Sequence, residues 1–154
     1  MTAPGRGRGS VPIGHLHALD AVEADAIHLL RRWCAGVEHQ ADMTRDLEQA
    51  MGAAAGRAAL AALETLCDLC IRYARRPLMR RPIGCGCVGA DESCFAALIG
   101  CAAEGARDDA LMIAVAMVRP DAAPLLIGPA EDLGLALKQA AVRRRAAPLS
   151  HALH

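Results

Sequence analysis

Apolar residues along this chain recur at intervals of three and four, the repeat of a helix with one buried face. Val22, Ile27, Leu30 and Cys34 form a stripe behind Asp20, and Glu23 three residues later completes a capping-box pattern. Gly36 suits the end of that first helix. A second helix is expected over residues 38–51, where Met43, Leu47 and Met51 stand four apart. The third, over residues 54–75, carries Leu60, Leu63, Cys67, Cys70 and Ala74 on one face. Pro77 and Pro82 stop it, and residues 76–90 read as a loop. Asp91 reads as the cap of a fourth helix reaching Glu104, with Phe95, Leu98 and Ala102 inward and Cys94 and Cys101 on a shared face. A fifth follows over residues 107–118. A sixth segment starts at Asp121, is interrupted or kinked at Pro129, and carries Leu133, Leu137 and Ala140 beyond it. No segment alternates with period two. The expectation is an all-α, compact bundle of about five to seven helices, with a Cys/Gly-rich loop between the third and fourth. Residues 1–14 read as a flexible tail, 15–146 as a single helical domain and 147–154 as a flexible C-terminus.

Composition sharpens this. The chain has 154 residues, enough for one domain with its own core, and is 54% hydrophobic with one Trp, one Tyr and one Phe. A core of Ala, Leu, Val, Ile, Met and Cys suits closely packed helices better than a sheet. The formal net charge is zero, which argues against a globally basic nucleic-acid binder. MTAPGRGRGS is not followed by an apolar signal-peptide core, and the most apolar stretch, residues 110–118, is about half the roughly 20 residues a membrane span needs. A cytoplasmic protein with no membrane partner is expected, in which seven cysteines serve as thiols or metal ligands before structural disulfides.

Four cysteines crowd CDLCIRYARRPLMRRPIGCGC. The pattern is C-x2-C, 14 residues, then C-x-C, then six residues before Cys94 and six more before Cys101. Four thiolates satisfy tetrahedral zinc. Cys67 and Cys70 share a helix face, and the glycines of GCGCVG would let Cys85 and Cys87 fold back towards it. An iron–sulfur cluster is the alternative cofactor for the same set, with Cys94 as alternate ligand or reactive thiol. Redox thiol chemistry is a further reading, although the C-x2-C lies in the C-terminal half of a helix, where the dipole opposes thiolate formation. Cys67 and Cys70 also fit as plain core residues, as do Cys34 and Cys101. None of the six histidines stands at ligand spacing from a cysteine.

Arg72, Arg75, Arg76, Arg80 and Arg81 cluster without an intervening acid. Such a cluster is a candidate for anion or nucleic-acid contact. Only Tyr73 offers a stacking surface there, so a solvated loop that balances thiolate charge is the favoured role. There is no Walker loop, G-x-S-x-G or H-E-x-x-H, and no catalytic residue is assigned; Asp91 and Glu92 read as capping groups. The run from LCDLC through RRPLMRR to GCGCVGADESCF resembles small, cysteine-containing helical proteins from bacteria, a resemblance that spans most of the chain after the tail and implies no particular activity. The reading is a non-enzymatic helical protein with a structural zinc site, acting as a regulatory module on a protein partner. A thiol redox sensor or iron–sulfur regulator is the alternative, and an Arg-dependent nucleic-acid-binding regulator the second.

Overall fold

A computed structural model describes residues 12–151 of the chain. Among them are six α-helices: α1 (Ala21–Cys34), α2 (Val37–Met51), α3 (Ala53–Tyr73), α4 (Ala90–Ala103), α5 (Arg107–Met117) and α6 (Ile127–His151). The all-α bundle is as expected. Asp20 caps α1, its Oδ1 accepting from the Glu23 N–H at 2.9 Å. Gly52, at φ 89°, turns the chain directly from α2 into α3. Residues 1–11 and 152–154 of the expected tails lie outside the described residues.

Four features differ from the sequence reading. The expected tail ends early: Pro12–His15 is a strand, β1, paired antiparallel with Cys87–Gly89, β2, inside the expected loop. The register slips between Pro12 and Gly14, which leaves Ile13 as an extra residue. The C-terminal residues 147–151, expected outside the domain, continue α6. Pro129 does not break the last helix. It sits in the first turn of α6, where a backbone N–H has no intrahelical partner to lose. Lastly, α4 begins at Ala90 behind Gly89, and its cap comes from Glu92, not Asp91.

Helix α4 is the centre of the molecule, packing against α1, α5 and α6. Phe95, Ala96, Leu98, Ile99 and Ala102 are all buried. α3 lies against α2 and α6. The ends of α3 and α5 are stitched by backbone bonds from Arg119 N–H to the Tyr73 carbonyl (3.0 Å) and from Arg75 N–H to the Met117 carbonyl (3.3 Å). That stitch fixes where the arginine-rich segment leaves α3.

Candidate functional site

The firmest polar feature is a charge pair that sequence reasoning missed. Arg31 of α1 and Glu92 of α4 are 1% and 0% exposed. Arg31 Nε donates to Glu92 Oε2 at 2.5 Å and Nη2 to Oε1 at 3.1 Å. The same guanidinium reaches the cysteine loop, with Nη1 donating to the Cys85 carbonyl (2.6 Å) and Nη2 to the Cys87 carbonyl (2.7 Å). Glu92 Oε1 also accepts from the Gly89 N–H at 3.1 Å. A buried charge survives only when its hydrogen-bonding capacity is used, and here one Arg–Glu pair spends it on holding the loop backbone. The signal was available: Arg31 falls four residues after Ile27, on the buried stripe of α1.

This clamp fixes the backbone that carries Cys85. Its thiol is partly exposed, and the Cys87 backbone N–H donates to its Sγ. The Arg81 guanidinium stands 4.0 Å from that sulfur. The Cys87 N–H, with Arg81 and the charge of Arg31 behind it, holds the Cys85 thiol below the usual thiol range despite some desolvation.

The cysteines of α3 are in the opposite condition. Cys67 and Cys70 are buried, as their stripe suggested. Burial drives the Cys67 thiol far up, with the neighbouring Cys34 and Cys70 adding to it, and pushes Cys70 up to about 12. Both stay protonated at neutral pH. Together with Cys34 at the end of α1 they line a cleft of about 540 Å³. Cys94, the candidate alternate ligand or reactive thiol, lines an adjoining cleft of about 420 Å³ with Cys70 and Asp91. Burial and the Asp91 carboxylate raise its thiol, against the pull of Arg76.

Of the clustered arginines, four have roles within the fold. Arg76 makes a two-pronged pair with Asp91 at 2.9 and 2.7 Å, and the Met79 N–H donates to the same carboxylate at 2.7 Å. Arg75 Nε donates to the Val118 carbonyl at 3.2 Å, and Arg80 Nη2 to the Cys34 carbonyl at 3.0 Å. Arg81 faces Cys85. Arg72 is exposed.

The four proposed zinc ligands therefore occupy two settings. Cys67 and Cys70 are buried neutral thiols at the base of the cleft between α1 and α3, while Cys85 and Cys87 stand on a loop fastened to α1 and α4. Among the described residues no three His, Cys, Asp or Glu side chains come together in a group that would hold a metal ion. As placed, the two pairs do not fit one closed four-thiolate shell, which needs all four sulfurs within bonding distance of one ion. No helix among the described residues is long and apolar enough to cross a membrane. Comparison of the chain with protein-family models, with curated proteins and with solved structures finds no match.

Proposed function

We propose that the protein is a thiol redox sensor whose reactive pair is Cys85 and Cys87. The observation that carries this reading is the setting of Cys85. It is a partly exposed thiol receiving a backbone N–H, faced by Arg81, on a loop held from behind by the Arg31–Glu92 pair. Low-pKa, accessible thiols beside a resolving cysteine are the ones that respond to peroxide.

The step is as follows. The Cys85 thiolate attacks one oxygen of a hydroperoxide, the O–O bond breaks, and the departing alkoxide takes a proton from water. Cys85 is then a sulfenic acid. The Cys87 sulfur attacks the Cys85 sulfur and expels hydroxide, which leaves as water with the Cys87 proton. The cysteines have lost two electrons to the peroxide. Closing a ring between Cys85 and Cys87 must turn the peptide units of residues 85–87, and the two carbonyls held by Arg31 belong to these residues. Oxidation is thereby felt at the buried pair and at the β1–β2 edge, where a protein partner would read it.

The test is stoichiometric hydrogen peroxide treatment followed by peptide mapping, on protein purified without oxygen and analysed for metals. The expected result is a Cys85–Cys87 disulfide, lost in Cys85→Ser and retained in Cys34→Ser, with iodoacetamide modifying Cys85 well before Cys67 or Cys70. Cysteines that react at equal rates, or a bridge elsewhere, would overturn it. Bound zinc or iron that disappears from a C85S/C87S variant would instead return the four-cysteine metal centre to first place.

A further inference from the structure

We propose that the cleft between the C-terminal ends of α1 and α3 binds a medium-chain aliphatic carboxylate, a role independent of the thiol chemistry of the loop. Its volume of about 540 Å³ lies within the roughly 300–1,000 Å³ of small-molecule sites. Its wall is formed by Leu30, Cys67, Cys70 and Leu78. The two thiols, held neutral by burial, act there as small hydrophobes. No aromatic ring lines the cleft, so it offers no stacking surface for a base or an aromatic acid. Apart from the arginines, no side chain in the wall is a strong hydrogen-bonding group, so a sugar or peptide would go unsatisfied. What fits is a hydrocarbon.

The rim supplies the charge. Arg75, Arg76 and Arg80 line the cleft and no acidic residue does. Arg76 is neutralised by Asp91. Arg75 and Arg80 have no carboxylate within ion-pair distance among the described residues; each is held by a single bond to a backbone carbonyl. That bond orients the guanidinium and leaves further N–H donors, in the fork geometry that matches a carboxylate. Ile71 stands beside them 67% exposed, an apolar side chain that a bound alkyl chain would cover.

Isothermal titration calorimetry with decanoate, 1-decanol and acetate tests this. Decanoate should bind saturably, one molecule per chain. Removing its charge (1-decanol) or its chain (acetate) should weaken binding roughly tenfold or more, as expected for loss of charged hydrogen bonds or of apolar burial. Ile71→Asp, at an exposed position, should weaken decanoate by a similar factor with an unchanged melting temperature. The double variant R75M/R80M should weaken decanoate by a similar factor, and Cys85→Ser should bind like wild type. Absence of saturable decanoate binding, equal affinity for 1-decanol, or wild-type affinity in Ile71→Asp would each overturn the assignment.

Discussion

At the scale of the residue, the thiols divide into two electrostatic classes with opposite effects on stability. Cys67 and Cys70 have raised pKa values in the folded protein because burial penalises the thiolate. Above the ordinary thiol pKa of about 8.5, the unfolded chain releases protons that the folded chain keeps, so stability falls as pH rises, up to about 12 for Cys70. The limiting slope is about 1.4 kcal/mol per pH unit for each such thiol. Cys85 is lowered, so its contribution is present above the ordinary thiol pKa and is lost as pH falls through its folded value. Urea denaturation of reduced protein should show a shallower alkaline loss of stability for Cys70→Ala than for wild type. Parallel curves would mean that Cys70 is not a buried neutral thiol. The burial of Cys67 and Cys70 was legible in the sequence, since helical spacing places them on the stripe of Leu60 and Leu63. The lowering of the Cys85 thiol was not. It depends on the Cys87 N–H turning onto a sulfur and on the carbonyls of a glycine-rich loop meeting a side chain 54 and 56 residues away.

At the scale of the element, two glycines act by letting helices touch. A Cβ on Gly56 of α3 would lie 2.7 Å from the Glu48 backbone of α2, and one on Gly134 of α6 would lie 2.7 Å from the Ile99 carbonyl oxygen of α4. Gly→Ala in a helix interior ordinarily stabilises by about 1 kcal/mol. At these two positions the clash should reverse the sign, and Gly56→Ala and Gly134→Ala should each destabilise by about 1–3 kcal/mol in thermal or urea unfolding. Gly128, with open space around its Cβ position, is the control and should not lose stability in this way. Helix positions were readable because caps and stripes are local signals, as Asp20 and Glu23 show. The small sheet was not, because a four-residue and a three-residue strand carry no alternation and pair across more than 70 positions. Pro129 misled because proline is costly in a helix interior but is tolerated in the first turn, where Pro129 stands.

At the scale of the whole molecule, the buried Arg31–Glu92 pair joins α1, α4 and the β2 loop at one point. Removing one partner leaves the other charge buried and unpaired. Arg31→Met and Glu92→Leu should therefore each cost about 3–5 kcal/mol, and the double variant should cost well below their sum. A double-mutant cycle by urea denaturation measures this, and additive losses would mean that the two side chains do not share one energetic unit. The pair also explains why the Cys/Gly loop, expected to fold onto the α3 cysteines, is instead fastened beside α1. The choice was made by a charge on a stripe that otherwise reads as apolar.

The clamp grips residues 85 and 87 only through main-chain oxygens, atoms that every amino acid carries. It is therefore indifferent to what is written at those two positions. A substitution there leaves both carbonyls available to Arg31, which makes the loop a socket for reporter groups or foreign ligating residues.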